Sequence, residues 1–271
     1  AGVRREAHDS PPGPDCRPLV GPRALRAGSI RPLPVHAAET LIAPAMCTVT
    51  IVPVDDGFRM VCNRDERRHR PAAIPPHTYP VGERTAIFPV DPAGAGTWVG
   101  VNDVGLAATL LNRTMDPTMK HRGAPCSRGR IVPTVLAHAS LSEGIAAVEN
   151  VDPTSFEPFR LVVIHGFTVG VVSSDGRRLS RKVSRLSRPS LFTSSSLGDA
   201  LVDEPRRRLF ERLVMARETR WLRAQFHFHH HQWRSKKDIS VSMERPDALT
   251  VSRTVVDVRS RTIQLRYEPL G

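Results

Sequence analysis

A cysteine directly behind a methionine, Met46-Cys47, is the feature of this sequence with the clearest potential for chemistry. If Met46 starts the protein and is removed, Cys47 carries a free α-amino group beside its own thiol. Such an amine has a reference pKa of about 8, so one residue would supply both a nucleophile and a general base. Residues 1–45 precede the pair, however. With those residues attached, Cys47 is equally well explained as an ordinary buried strand cysteine.

Residues 1–45 differ in composition from the rest of the chain. They contain 8 of the 24 prolines and no periodic apolar pattern, which predicts disorder. Three explanations are open: translation from upstream of the true start, a propeptide whose removal exposes Cys47, or a flexible extension on a protein whose Cys47 stays internal. We favour the first, and we expect residues 46–271 to form one domain. The segment lacks the continuous apolar stretch of a secretory signal.

The elements around Cys47 are predicted to bring two charged residues back towards it. Residues 47–54 and 58–63 predict two strands joined by a tight turn. Such a hairpin ends beside Arg64 and Asp65. Arg64 would favour the thiolate form of Cys47, and Asp65 would orient its amine. Arg64 is also explained as one more arginine in an arginine-rich chain.

Polar side chains at two other predicted strand ends are candidates for substrate binding. Asn112 follows a predicted strand and would donate its amide to an oxyanion, or else cap its own turn. Ser195 and Ser196 follow another short strand. Without a Gly-x-Ser-x-Gly elbow around them, substrate contact or the approach to a helix explains these serines better than nucleophilic attack.

Three alternate histidines, His227, His229 and His231, form the obvious candidate for a metal site. On a strand they would share one face and could bind zinc or copper. No acidic or cysteine ligand lies close to them in the sequence. We therefore expect a surface loop without a metal here.

Composition argues against several functional classes. The net charge of +12 invites a nucleic-acid interpretation, but the arginines are scattered and no nucleic-acid-binding motif accompanies them. We therefore expect no specific nucleic-acid partner. The 4 cysteines match no zinc spacing, and their use favours a reduced, cytoplasmic compartment. No apolar run approaches the roughly 20 residues of a membrane helix, so we expect no membrane span.

The predicted elements follow the order strands, helices, strands, a long helix and strands. This order favours an α+β fold with mostly antiparallel pairing. The proline-rich residues 70–80 are expected to form a loop. The long helix is expected at 203–223, with Pro205 at its first turn. Residues 239–243 are predicted to form a closing strand.

Several motifs follow Met46-Cys47 in a distinctive order. The first is the tetrapeptide Asn63-Arg64-Asp65-Glu66. The others are Gly96-Thr97-Trp98-Val99-Gly100, Gly105-Leu106-Ala107-Ala108 with Asn112, Ser127-Arg128-Gly129, Phe159-Arg160-Leu161-Val162, Ser195-Ser196-Leu197 ahead of Pro205-Arg206-Arg207, and Arg253-Thr254-Val255-Val256. Together they resemble the NRDE family, the transport and Golgi organisation protein 2-like proteins, over residues 46–269. Residues 1–45 have no counterpart in that family.

The family is similar to the N-terminal nucleophile hydrolases, and this implies a four-layer αββα sandwich of two mostly antiparallel sheets. The resemblance makes Cys47 the nucleophile and its own amine the base. It assigns Arg64 to tuning the thiol, Asp65 to holding the amine, and Asn112 to the oxyanion hole.

The resemblance also implies residues that support the substrate or the structure of the site. These are Asn63, Glu66, Trp98, Arg128, Ser195 and Ser196. The choloylglycine hydrolase and penicillin V acylase group has a second asparagine where this chain offers only Ser195 or Ser196. The chain therefore departs from that group in half of the expected oxyanion hole.

Two hypotheses of function follow from the resemblance. In the first, the protein hydrolyses a linear amide or acyl bond through an acyl-enzyme, without a cofactor, and its ligand is a small-molecule amide, an acyl compound or a lipid-like molecule. In the alternative, the same scaffold belongs to a non-catalytic binding or trafficking protein with a role like that of the Golgi-organisation proteins. Haem or an acyl lipid would then be the ligand.

Overall fold

The computed structural model describes residues 47–114, 126–195, 199–216 and 220–270. Residues 1–45, whose disorder the sequence predicts, lie outside these ranges. The described strands are β1 (Cys47–Val54), β2 (Gly57–Arg67), β3 (Ile74–Val81), β4 (Arg84–Val90), β5 (Val99–Asn102), β6 (Ala107–Asn112), β7 (Phe159–His165), β8 (Thr168–Ser174), β9 (Leu179–Arg185), β10 (Ser190–Thr193), β11 (Ala248–Arg259) and β12 (Thr262–Pro269). The described α-helices are α1 (Ile131–Leu136), α2 (Leu141–Glu149), α3 (Asp199–Phe210) and α4 (Trp221–His229).

The strands form two antiparallel sheets. The five-stranded sheet has the order β10-β1-β2-β11-β12, and the seven-stranded sheet runs from β3 to β9 in sequence order. The predicted hairpin is confirmed, since β1 pairs with β2 around a tight turn and Cys47 lies opposite Arg64. Gly57 begins β2 where the chain approaches the backbone of Val258 so closely that no Cβ would fit.

Three layers of apolar side chains hold the sheets and helices together. The middle layer lies between the two sheets and includes Ile51 and Leu111. Helices α1 and α2 cover the outer face of the seven-stranded sheet through residues such as Val135 and Ile145. Helices α3 and α4 lie over the five-stranded sheet around Phe228. This arrangement confirms the predicted αββα sandwich of antiparallel sheets.

The sequence pattern did not predict either edge strand of the seven-stranded sheet. The loop predicted at 70–80 is wrong for its second half, which forms β3 with Pro75, Pro76 and Pro80 inside it. Proline removes a backbone donor, and an edge strand tolerates this because one of its sides has no neighbour. At the other edge, β9 is almost entirely exposed. It therefore lacks the apolar alternation by which strands are recognised.

The long helix predicted at 203–223 is wrong in both its bounds and its continuity. Helix α3 begins upstream, so Pro205 lies inside it rather than at its first turn. A π-helical turn, Glu211–Met215, follows directly, and α4 starts separately at Trp221. The strand predicted at 239–243 is also wrong. A short 3₁₀ turn at Lys237–Ile239 begins that segment, which is held instead by side-chain hydrogen bonds described below. No helix in the described ranges is long and apolar enough to cross a membrane.

A backbone contact between two glycines joins the loop before β5 to the segment before α1. A Cβ on Gly96 would overlap the backbone of Gly129, and the Thr97 amide donates to the Gly129 carbonyl at 2.9 Å. Trp98 and Arg128 lie next to these residues in the chain. The contact therefore positions two of the predicted site residues.

We expect Gly96→Ala to destabilise the protein by about 1–3 kcal/mol, because backbone atoms cannot move aside as a flexible side chain can. Urea unfolding gives this loss directly. Gly166→Ala is a useful comparison, since Gly166 has a φ of +57° but nothing within 4 Å of its added Cβ. Gly166→Ala therefore measures the cost of backbone strain without a steric contact, and a loss below about 1 kcal/mol for Gly96→Ala would contradict the proposed role of the contact.

Candidate functional site

Cys47 lies at the start of β1 with its backbone held by one serine. Its amide donates to Ser194 Oγ at 3.0 Å, and its carbonyl accepts from the Ser194 amide at 3.0 Å. The residue is buried, with 7% of its surface exposed. Among the serines that follow β10, the structure therefore places Ser194 against the Cys47 nitrogen, a residue that the sequence did not distinguish from its neighbours.

The thiol of Cys47 faces the core between the two sheets. Val49 pairs with Cys62 on the neighbouring strand, so Cys62 lies diagonally across from Cys47 on the same face. Hydrogen bonding with Cys62 and burial are the main causes that raise the pKa of the Cys47 thiol well above its usual value. The charge of Arg64 lowers that pKa by less. Cys47 is therefore a protonated thiol at neutral pH in this form of the chain.

Arg64 is directly opposite Cys47, but its charge is shared with other groups. Its guanidinium lies 4.3 Å from the centre of the Trp98 ring, which is a cation–π contact. Nη2 donates to Glu66 at 3.0 Å and lies 3.6 Å from Asp91. The predicted residues Arg64, Glu66 and Trp98 are thus brought together beside Cys47. Asp91, which the sequence did not single out, completes the group.

Asp65 projects to the opposite face of the sheet, because successive strand residues alternate. Its Oδ1 accepts from the Thr250 hydroxyl at 2.5 Å. Its Oδ2 has no hydrogen-bond partner among the described residues, although Arg206 Nη2 lies 3.9 Å away. Burial raises the pKa of Asp65 to about 6, against the opposing effects of Arg206 and Thr250. The charge of Asp65 also raises the pKa of Cys47, which reflects their proximity.

Arg206 is a fully buried cation to which the sequence pattern gave no role. It donates to Thr48 Oγ1 at 2.6 Å. It also donates to the carbonyls of Ile239 at 3.1 Å and Ser240 at 2.5 Å. Burial lowers its pKa to about 10, which still leaves it charged at neutral pH. Arg206 therefore joins β1, Asp65 and the segment after α4.

The other predicted residues have different positions. Asn112 ends β6 opposite Phe159, and Phe159 belongs to the core under α1 and α2, so this pairing puts Asn112 on the outer face of its sheet. Its role in an oxyanion hole stays a prediction. Arg128 donates to the Pro158 carbonyl at 2.9 Å, and burial lowers its pKa to about 10, opposed in part by the charge of Glu157. Ser195 is buried, and Ser196 lies outside the described residues.

The surface loop expected at the histidines is wrong, because most of this segment is helical and His229 is buried. Residues up to His229 form α4, whose apolar face packs on the five-stranded sheet. His227 is exposed and His229 buried, because residues two apart on a helix point in different directions. Among the described residues, no group of three or more His, Cys, Asp or Glu is arranged to hold a metal ion.

His229 instead belongs to a buried series of hydrogen bonds in which the donor and the acceptor of each bond can be assigned. Asn63 Nδ2 donates to the carbonyls of His229 and Val241, so its Oδ1 must accept from His229 Nδ1 at 3.0 Å. His229 Nε2 then accepts from Thr50 Oγ1 at 2.7 Å, and Gln225 donates to that hydroxyl at 2.8 Å. Both ring nitrogens are occupied, so His229 is not free to ligate haem.

This arrangement requires a neutral imidazole. Burial first, and then the charge of Arg253, lower the pKa of His229 well below 6.5. Below pH 6.5 the unfolded state takes up a proton that the folded state refuses, so stability falls as pH falls. Asp65 acts in the opposite sense. Its pKa is raised from 3.8 to about 6, so its contribution to stability falls as pH rises through that interval.

We expect wild type to lose stability relative to His229→Gln as pH falls below 6.5, by at most about 1.4 kcal/mol per pH unit. The difference between the two proteins isolates His229, because Asp65 titrates in both. Urea unfolding between pH 7.5 and 5 measures it. Parallel stability curves for the two proteins over this interval would show that the imidazole is not held neutral.

Comparison with known proteins agrees with this architecture. The family model for transport and Golgi organisation 2 matches residues 46–239, which confirms the resemblance found in the sequence. A Caenorhabditis elegans orthologue of N-acylethanolamine-hydrolyzing acid amidase has a similar fold, with a TM-score of 0.52 at 14% identity over 77% of this chain and 92% of that one. Penicillin V acylase from Agrobacterium tumefaciens gives a TM-score of 0.48 at 14% identity over 83% and 86% of the two chains. No curated protein sequence matches the chain. With more than half of its length matched, this chain belongs to the transport and Golgi organisation 2 family.

Proposed function

We propose that the protein is an N-terminal cysteine hydrolase that cleaves a linear amide or acyl bond once Cys47 has become the first residue. The observation that carries the proposal is the setting of the Cys47 nitrogen. It lies 3.0 Å from Ser194 Oγ. The charge of Asp65 acts on the same cysteine, and the buried Oδ2 of Asp65 has no hydrogen-bond partner in the described part of the chain. An ammonium group has three hydrogens to donate, and these two oxygens would accept two of them.

The state of the thiol explains why such an amine is needed. The pKa of Cys47 is raised by Cys62 and by burial, so the sulfur does not ionise alone at neutral pH. While Met46 is attached, the Cys47 nitrogen is an amide and has no useful basicity. Removing Met46 produces an amine whose reference pKa is about 8. That amine can take the thiol proton as the sulfur attacks.

The proposed reaction has two stages. Cys47 Sγ bonds to the carbonyl carbon of the substrate while its proton moves to the α-amine. The amine then returns the proton to the departing nitrogen or oxygen, whose bond to the carbonyl carbon breaks to leave a thioester. Water attacks the thioester with the same amine as base, which releases a carboxylic acid and restores the thiol.

Trp98 offers a donor on the face of the thiol. Its Nε1 is buried and has no hydrogen-bond partner among the residues described, and its ring lies over Arg64, opposite Cys47. We assign this indole to the substrate, where it would donate to a carbonyl oxygen. Asn112, by contrast, is proposed as an oxyanion donor only by family resemblance.

The comparisons support the reaction class through the fold. The structure with a TM-score of 0.52 is named as an amidase that hydrolyses N-acylethanolamines, and a similar fold is compatible with amide chemistry here. We propose a small amide, an acyl compound or a lipid-like molecule as substrate, with no cofactor. The arrangement of the histidines does not favour the haem-binding alternative, because His229 uses both ring nitrogens.

Processing provides the first test. A protein expressed from Met46 should lose that methionine and then react with a thiol-directed acyl probe at Cys47, as intact-mass measurement reports. Cys47→Ala should abolish the label, and Cys62→Ala, which removes the neighbouring thiol, should keep it. Hydrolysis of acyl-amide substrates should fall by at least about 10³-fold in Cys47→Ala. A retained methionine, or equal labelling of wild type and Cys47→Ala, would refute the mechanism.

Asp65→Asn tests the holding of the amine. The carboxylate stabilises the ammonium form, so its loss should lower the apparent pKa of the Cys47 amine and thiol taken together. The ascending limb of the pH–rate profile should therefore move to lower pH, with a kcat reduced by about tenfold or more. Thr250→Val is the matched control, since it removes the other partner of Asp65 and leaves the charge in place. An unmoved limb in Asp65→Asn would contradict the contact.

A further inference from the structure

A wide groove lies at the end of β1 remote from Cys47. Its volume is about 830 Å³, and its floor includes Val54, the last residue of β1. Seven residue steps of about 3.3 Å separate Val54 from Cys47, on the order of 23 Å. The groove is therefore not part of the site around the thiol.

Positive charge dominates the groove. Four arginines, Arg185, Arg220, Arg223 and Arg259, line it against one acidic residue, Asp55. Arg259 is paired with Asp56 at 3.4 Å. The other three make no ion pair or side-chain hydrogen bond within the described ranges, unlike Arg64 and Arg206. Three arginines thus line one space without an ion pair to any residue that the structure describes.

The start of α4 adds to this positive charge. Trp221 lines the groove and begins α4, whose first turn contains no acidic residue. The positive end of a helix favours negative charge at this point. The helix therefore adds to the arginines instead of opposing them.

We propose that this groove binds a soluble phosphate-bearing molecule with at least two negative charges. Guanidinium groups match phosphate oxygens in pairs of parallel hydrogen bonds, and three free arginines exceed what a single carboxylate can use. The apolar floor would contact the organic part of the ligand. This site is independent of the chemistry proposed at Cys47.

Binding of inorganic pyrophosphate and of a nucleoside triphosphate to the full chain tests the proposal. Isothermal titration calorimetry at low ionic strength should show binding that weakens as salt is added. Arg220→Ala and Arg223→Ala should each weaken it by about tenfold. Arg234→Ala removes an exposed arginine that does not line the groove, and it should leave binding unchanged.

Arg185→Ala gives a second, separate variant, because it lies on β9 and does not disturb α4. Circular dichroism checks that each variant is folded. The proposal is overturned if pyrophosphate and the nucleotide fail to bind wild type. It is also overturned if all four variants bind them as tightly as wild type does. Vesicles that contain phosphatidic acid provide the other arm. Binding to them without binding of either soluble phosphate would assign the arginines to a membrane surface and would also overturn the proposal.

Discussion

The structure depends most strongly on compensating the buried charges of β2. The strand lies in the interior of the five-stranded sheet and is buried on both faces, yet it carries Arg64, Asp65 and Glu66 in succession. Alternation sends Arg64 and Glu66 into the space between the sheets and Asp65 towards the helices. A buried charge costs several kcal/mol unless it is paired and hydrogen-bonded. Each face therefore needs its own compensating group.

The two faces solve this problem in different ways. Between the sheets, Arg64 is close to Glu66, Asp91 and the Trp98 ring, and these three groups compensate its positive charge. On the helix side, Asp65 has a hydroxyl and a more distant guanidinium, and its pKa is raised to about 6. The charge of Asp65 is therefore less well compensated than the charge of Arg64. A positive group beside Asp65, such as an α-ammonium, would therefore be stabilised more than one placed beside the carboxylates that already compensate Arg64.

The sequence revealed local features better than features that depend on distant contacts. The hairpin of β1 and β2 and the proximity of Cys47 and Arg64 follow from two short strands and a turn, all within neighbouring residues. The edge strands β3 and β9 were missed because prolines and polar side chains remove the apolar alternation, while pairing with one neighbour still stabilises them. The break between α3 and α4 was missed because no glycine or proline marks it in the sequence between Met215 and Trp221.

The residues of the candidate site show the same difference between local features and features that depend on distant contacts. Arg64, Glu66 and Trp98 were expected near Cys47, and they lie there. Asp65 was expected to hold the amine of Cys47, and this role stays a prediction; its position on the strand places its side chain on the face opposite the thiol. Ser194, Cys62 and Arg206 could not be chosen from the sequence. Their importance comes from strand register and from contacts across more than 140 positions, as between Cys47 and Ser194, and no local pattern encodes such contacts.

The hydrogen bond from Cys47 to Ser194 is also compatible with the processed cysteine that we propose. An amide N–H can donate to Ser194 Oγ, and so can an ammonium group, so loss of Met46 need not move β1. What changes is basicity and charge. Before the loss, the buried thiol has a raised pKa and the nitrogen cannot accept its proton. In the proposed processed form the nitrogen would accept it, and Asp65 would gain a positively charged neighbour. The same strand register therefore fits both the chain with Met46 attached and the reactive form that we propose, which differ by one peptide bond.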